Sequence, residues 1–126
     1  MPVAMVVGVH PAILYAGGFT TRYGINELSL AGGLLEDSVR LVKCETSDLE
    51  VPADAEMVIE GEILPDAMTS EGPFGEVTGG YAEEGSTEIF VVKAITHRKD
   101  PIFYGMHSGA PMTDPQSITG TCIEAA

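Results

Sequence analysis

Apolar segments along the chain are separated by short stretches that contain glycine and proline, and this pattern predicts mainly β-structure. Val3–Val9 is continuously apolar and rich in β-branched residues, which is typical of a strand buried on both faces. Beyond Ser38 the hydrophobic period changes to two, as in a strand with one buried face. Further strands are therefore predicted at 39–44, 57–63, 88–96 and 102–106, the last two joined as a hairpin.

Helical features are confined to short segments, and helices are predicted at 11–15, 26–35 and 116–126. Asn26 can cap the second helix, whose apolar face is formed by Leu28, Ala31, Leu34 and Leu35. Gly32-Gly33 weaken this helix by roughly 1 kcal/mol each, so glycines there indicate a close neighbour, either a sheet or a ligand. The segment 48–55 is predicted as a connecting loop, and the long segment 65–80 as a functional loop.

Composition and charge narrow the class of protein. The 126 residues suffice for one domain with a hydrophobic core. A net charge of −13 would repel a phosphate backbone, so a nucleic acid is excluded as a partner. The chain shows neither a membrane-spanning apolar run nor a secretory signal, and we expect it to be cytoplasmic. Two cysteines, Cys44 and Cys122, are too few for a disulfide framework.

The most informative segment for chemistry is Glu71-Gly72-Pro73-Phe74-Gly75-Glu76, in which two carboxylates flank a stiff turn. Such a turn could set both carboxylates into one pocket, with Phe74 shielding them from water. Apolar walls and a neighbouring negative charge raise a carboxyl pKa, which suits a proton donor near neutral pH. The alternative is a solvated acidic loop in a chain with 19 acids, and the residues alone leave both interpretations open.

Glu27 is the second candidate, because it stands at the start of a predicted helix after a glycine-bearing loop. A first-turn glutamate stabilised by the helix dipole is the alternative interpretation and needs no function. The remaining polar residues carry less chemistry. The histidines lack metal-ligand spacing, and solvated or surface positions are predicted for Glu60, Glu62, Glu83, Glu84, His97 and Arg98.

Five blocks of the sequence resemble, in order, the flavin-domain blocks of the UbiD family. They are Asn26–Gly33, Val39–Lys43, Val51–Gly61, Glu71–Glu76 and Ile95–Ile102. The resemblance extends over about residues 3–126, and several blocks in the right order are more specific than any single one. It implies a split β-barrel of the flavin-reductase type, with a few short helices, which agrees with the predicted β-rich α+β fold.

The resemblance also implies a function. UbiD enzymes are reversible carboxy-lyases that act on aromatic, heteroaromatic and α,β-unsaturated acids, with prenylated FMN as cofactor. Glu76 matches the proton-transferring glutamate and Glu71 its partner in a Glu-Arg-Glu network. Glu27 matches a ligand of the divalent metal, usually Mn²⁺, that bridges the protein to the flavin phosphate. Gly17, Gly18 and Phe19 match, more loosely, a stretch whose backbone helps to hold K⁺.

Some parts of the family pattern have no counterpart here. The network arginine and the Asn and His of the metal site lie upstream of this chain in the family, and the dimerising C-terminal domain follows it. We therefore expect residues 1–126 to be one domain, the central to C-terminal part of a flavin-binding domain. Its expected partners are a small carboxylic acid and the remainder of the enzyme or a companion subunit, in a homo-oligomer.

Two other functions stay open at this point. The chain could be a non-catalytic piece of a split decarboxylase that binds flavin or a partner, since ligands of the metal site are missing. A hydrolase built on a carboxylate pair is a weaker alternative, because no tryptophan is present to form a sugar-binding aromatic cluster.

Overall fold

The computed structural model of the protein describes residues 1–75 and 80–105. In these residues the chain is β-rich with two short helices, as predicted. In order, the elements are β1 (Pro2–Val7), α1 (Pro11–Gly18), α2 (Glu27–Leu35), β2 (Leu41–Lys43), β3 (Glu50–Pro52), β4 (Met57–Glu71) and β5 (Gly85–His97). The helix predicted at 116–126 lies outside the described residues.

Two sheets are formed by the described residues. One has the strand order β1-β4-β5, and the other pairs β2 with β3 in antiparallel fashion. In the larger sheet β1 is antiparallel to β4, with Val3 opposite Gly61 and Val7 opposite Met57. Both sheets are open within the described part of the chain, so the closed split barrel stays a prediction.

β1 is less buried than its apolar sequence predicted. Its residues are exposed or half-buried, and Met5 is 44% exposed. The prediction of a strand buried on both faces is therefore wrong for the described chain. The reason is that the core is small, and within β1 only Ala4 and Val6 pack, partly buried, against it.

The strand and loop boundaries after Pro52 also differ from the prediction. Glu50–Pro52 forms β3 inside the predicted connecting loop, and β4 continues without interruption to Glu71. Pairing with β5 maintains β4 past Pro65, whose missing N–H lies beyond the register shared with β1. The predicted functional loop therefore begins only after Glu71.

β5 confirms the strand predicted at 88–96 and extends it at both ends. The predicted second arm of its hairpin is wrong for Ile102–Gly105, which form no strand. The N–H of Ile102 donates instead to Oε2 of Glu56 at 3.1 Å. A side-chain acceptor thus takes the bond that the hairpin would have used.

The second helix has the predicted cap and end. Oδ1 of Asn26 accepts the N–H of Leu28 at 2.8 Å. Leu28 and Leu35 are half-buried on one side with the fully buried Ala31, but Leu34 is 59% exposed and was wrongly included in that face. Six residues after Leu28, Leu34 has turned about 120° away from it around the helix.

Small side chains allow α1 and α2 to pack against each other. In these two helices Ala12, Ala16 and Ala31 are buried, and Ala31 is completely inaccessible to solvent. A Cβ on Gly32 would lie 3.1 Å from the carbonyl oxygen of Asp37, so a segment of its own chain is a close neighbour of this glycine. No helix in the described residues is long and apolar enough to cross a membrane.

The chain divides into two compact units. The first comprises Met1–Ile63 with Val91–Tyr104, and the second includes Leu64–Phe90. The core of the first unit is small, with Cys44, Val51, Ala55 and Val58 packed against Ala4, Val6, Val9 and Leu49. No large side chain among the described residues is fully buried.

Glu60 is a buried carboxylate next to this core. It is 2% exposed, so the predicted solvated position is wrong. Its oxygens accept the N–H of Glu45 at 2.9 Å, and both the N–H and the hydroxyl of Thr46 at 2.7 Å. The N–H of Glu45 and then the hydroxyl of Thr46 hold the pKa of Glu60 below its ordinary value and outweigh burial. Burial, and then this negative charge, raise the pKa of the Cys44 thiol.

We predict that Glu60→Gln destabilises the chain at neutral pH, because the amide NH₂ would face an N–H donor. Since the folded pKa lies below the ordinary value of 4.5, the stabilisation by Glu60 is present above that pH. This stabilisation is lost as the pH falls below 4.5 and through the folded pKa of Glu60. Urea unfolding from pH 3 to 7 measures this, and Glu60→Gln should flatten the acid limb. Glu50→Gln, an exposed carboxylate in the same unit, is the control; equal pH profiles for the two variants would contradict the assignment.

Candidate functional site

The acidic turn begins where β4 ends. Glu71 is the last residue of β4 and is exposed, and the Gly72-Pro73 peptide that follows is cis. The return segment, Tyr81–Glu84, contacts the turn. The N–H of Ala82 donates to the carbonyl of Phe74 at 2.8 Å, and Gly75 forms a β-bridge with Tyr81. Glu71 therefore projects from the end of a regular strand into a turn held by the chain's own backbone.

The predicted shielding of the carboxylates by Phe74 is not seen for Glu71. Phe74 is 52% exposed and Glu71 is exposed. Glu76 lies outside the described residues, so the placement of both carboxylates in one pocket stays a prediction.

Glu27 is the first residue of α2, directly after the Asn26 cap. It is exposed, and a carboxylate at this position is stabilised by the helix dipole even without a ligand. Among the described residues, no group of three or more His, Cys, Asp and Glu side chains could hold a metal ion. Glu27 is therefore an exposed carboxylate at a helix start, and the described residues do not complete a metal centre.

Gly17 and Gly18 are the last two residues of α1, and Phe19 is its C-cap. A Cβ on either glycine would meet nothing within 4 Å, so this helix end is open to solvent. The N–H of Phe19 donates to the carbonyl of Ala16 at 3.3 Å, and Phe19 is 38% exposed. α1 packs on α2, so the end of α1 at Gly17 and Gly18 and the start of α2 at Glu27 belong to two helices in contact.

An open cleft of about 410 Å³ runs along α2. Its wall combines apolar side chains with hydroxyl and amide groups and consists of Asn26, Leu28, Ser29, Gly32, Ser38, Val39 and Leu41. The volume lies within the range of roughly 300–1,000 Å³ found for small-molecule sites. Both sequence neighbours of Glu27 line this cleft.

One arrangement of charged groups in the structure was not predicted from the sequence. Arg98, predicted as a surface charge, pairs through Nη1 with Oε1 of Glu56 at 3.0 Å, and its N–H donates to the carbonyl of Glu56. The other oxygen of Glu56 accepts from Ile102. Gly8 permits this, because a Cβ there would lie 2.5 Å from Cγ of Glu56. The positive φ of 71° at Gly8 fits a glycine at a strand end, but no local pattern indicates the role of Glu56.

Comparison with known proteins gives the family. Residues 1–111 match the sequence model of UbiD, described as the 3-octaprenyl-4-hydroxybenzoate carboxy-lyase Rift-related domain. The chain therefore belongs to the UbiD family, a family of carboxy-lyases, and the predicted resemblance is confirmed.

Solved structures of UbiD-class enzymes share the fold of this chain. An evolved dimeric form of HmfF from Pelotomaculum thermopropionicum, in complex with prFMN, is 44% identical, with a TM-score of 0.84 over 94% of this chain and 27% of that chain. Vanillic acid decarboxylase of Sedimentibacter hydroxybenzoicus in open form, with truncated ShVdcD, is 36% identical. Its TM-score is 0.83 over 90% of this chain and 25% of that chain. Apo 3,4-dihydroxybenzoic acid decarboxylase of Klebsiella pneumoniae is 34% identical, with a TM-score of 0.70 over 81% of this chain and 23% of that chain.

The chain spans about a quarter of the length of these enzymes. The matches cover 81% to 94% of this chain, whereas about three quarters of each enzyme lies outside the match. The activity, substrates and partners of a complete UbiD enzyme are therefore proposals for this protein.

Proposed function

We propose that this chain is part of a UbiD-class carboxy-lyase that uses prenylated FMN for reversible, non-oxidative decarboxylation. Its substrate would be an aromatic, heteroaromatic or α,β-unsaturated carboxylic acid. The observation that carries the proposal is the backbone match of nearly the whole chain to a UbiD-class enzyme that holds prFMN. The neighbours that decarboxylate vanillic acid and 3,4-dihydroxybenzoic acid favour the aromatic class.

The roles proposed for the chain's own residues follow from the family resemblance. When bound, prenylated FMN supplies an electron-accepting ring that permits the bond between the substrate and its carboxylate to break. Glu76 then delivers a proton to the carbon atom that has lost CO₂, and takes it back in the reverse direction. Glu71, fixed at the end of β4, holds an arginine from outside this chain and tunes the pKa of Glu76.

Glu27 would supply one carboxylate to a divalent cation, Mn²⁺, at the flavin phosphate. The backbone around Gly17, Gly18 and Phe19 would contribute to a K⁺ site. Hard cations of this kind prefer oxygen ligands, and the open start of α2 leaves Glu27 accessible. The remaining metal ligands would come from outside the described residues, since these form no cluster of three ligands.

We further propose that the chain is the central to C-terminal part of a flavin-binding domain. The upstream part and a C-terminal dimerisation domain would be supplied by the remainder of the enzyme or by a companion subunit, in a homo-oligomer. The small core and the many exposed apolar side chains of the described residues support this, because a larger partner would cover them.

A second function is a non-catalytic piece that binds flavin or a partner. The absence of a three-ligand cluster in the described residues favours it. Flavin absorbance and CO₂ release together separate the two functions. A non-catalytic piece retains flavin but does not restore CO₂ release when the rest of the enzyme is added.

We predict that the 126-residue chain alone, supplied with prenylated FMN and Mn²⁺, does not decarboxylate vanillic, 3,4-dihydroxybenzoic, 2-furoic or cinnamic acid. The physical reason is the incomplete set of metal and arginine groups. CO₂ release measures this, with a complete UbiD enzyme as the positive control. Turnover by the chain alone would show that its own residues suffice.

Replacement of Glu27 by Gln in the complete enzyme is expected to lower the Mn²⁺ and flavin content while leaving the fold intact. A role confined to the helix dipole would change stability by only about 0.3–1 kcal/mol and would leave the metal content unchanged. Elemental analysis and flavin absorbance are the measurements. Glu36→Gln at the other end of α2 is the matched control. Equal metal content in both variants would confine Glu27 to a structural role.

For Glu76→Gln we expect a loss of about 10²- to 10⁴-fold in turnover, with flavin still bound, because the amide keeps the shape but cannot transfer a proton. Glu71→Gln should also reduce turnover, through the misplaced arginine and the altered pKa of its partner. The measurements are CO₂ release and exchange of the product hydrogen in deuterated water. Glu88→Gln, an exposed residue of β5, is the control. Near-normal hydrogen exchange in Glu76→Gln would assign proton transfer to another group.

A further inference from the structure

We propose that Gly72 is a positioning residue for the carboxylate of Glu71, at the start of the acidic turn. Its missing side chain lets the return segment Tyr81–Glu84 lie directly against the turn. This inference rests on the proposed function, because it assumes that Glu71 and Glu76 act in the reaction. In this interpretation the glycine serves an approach between two parts of the chain, rather than an approach of the backbone to a ligand.

The geometry at Gly72 excludes a side chain in two ways. Its φ is +88°, in the left-handed region that L-residues rarely adopt. A Cβ at this position would lie 3.3 Å from the carbonyl oxygen of Glu83 and 3.7 Å from Cα of Glu84. The nearest atom, at 3.3 Å, is a backbone oxygen, which cannot rotate away as a flexible side chain could, whereas 3.7 Å is an ordinary contact distance. Any larger residue would therefore have to displace the return segment or the turn itself.

The return segment contacts the turn on both sides of Gly72. After it, the N–H of Ala82 donates to the carbonyl of Phe74 at 2.8 Å. Before it, the hydroxyl of Ser70 donates to Oε1 of Glu84 at 3.2 Å. Gly72 lies between these two contacts.

A displacement at Gly72 would reach the carboxylate of Glu71, the last residue of β4. Glu71 directly precedes Gly72, and Glu76 follows four residues later in the sequence. Proton transfer requires the donor within hydrogen-bond reach of its target, and a shift of about 1 Å in a reacting group can lower the rate by about 10²-fold. Gly72 touches no reacting atom in this account and acts only through the placement of its neighbours.

The test replaces Gly72 by Ala in the complete enzyme loaded with prenylated FMN, with vanillic acid as the probe. We expect kcat to fall by about 10²-fold, with KM and flavin content changed by less than about threefold. Gly85→Ala is the matched control. Gly85 lies in the same unit with ordinary backbone angles, and a Cβ there would meet nothing within 4 Å, so kcat should not change.

A second measurement does not depend on activity. Amide hydrogen exchange at Ala82 reports the bond to Phe74, and we expect it to become about tenfold faster in Gly72→Ala and to stay unchanged in Gly85→Ala. If Gly72→Ala does not fold, Glu84→Ala takes its place, with the same two measurements. Glu84→Gln should restore both values, because its carbonyl oxygen can still accept from Ser70. Glu83→Ala, the exposed neighbour, is the control for that pair.

The outcomes separate the inference from the proposed function. A folded Gly72→Ala variant with normal kcat, or with normal exchange at Ala82, overturns the inference. Lost kcat and faster exchange at Ala82 support it. If Glu76→Gln stays active while Gly72→Ala shows both changes, the assignment of Glu76 falls, but the positioning of the turn by Gly72 stands.

Discussion

The buried carboxylate of Glu60 is the constraint on which the first unit depends. A charge at 2% exposure is tolerated only because three donors from Glu45 and Thr46 surround it. These donors lie in the connection between β2 and β3, whereas Glu60 itself lies in β4. The contact therefore ties the small sheet to the large one, and the core around Val51 and Val58 closes beside it.

Candidate residues occur where regular elements end. Glu71 terminates β4, Glu27 begins α2, and Gly17 and Gly18 terminate α1. A side chain at such a point has a fixed backbone on one side and open space on the other. This arrangement suits groups that must be held in place and still reach a ligand. It also explains why these residues are poorly buried in a chain that spans about a quarter of its structural neighbours.

Local patterns predicted those features of the fold that local chemistry decides. Asn26 as a cap and the strong strand at 88–96 were both confirmed, because a polar cap and a β-branched run act within a few residues. The continuation of β4 past Pro65 and the burial of Glu60 depend on pairing with distant segments, which no local window contains. Val58 and Glu60 alternate onto one face of β4, a signal that could have placed Glu60 inside. For the site, the sequence supplied the residues, whereas the described geometry fixes Glu71 and Glu27 but does not include Glu76.

The glycines show how one residue type serves two different needs in this chain. At Gly8 and Gly72 the backbone has a positive φ, and a Cβ would collide with Glu56 in one case and press on the carbonyl of Glu83 in the other. Gly33 and Gly85, in contrast, have ordinary angles and open surroundings. Composition alone cannot separate these classes, because both contribute equally to a high glycine content. The separation comes from the neighbouring backbone: a glycine is required where two segments of chain meet more closely than a methyl group allows.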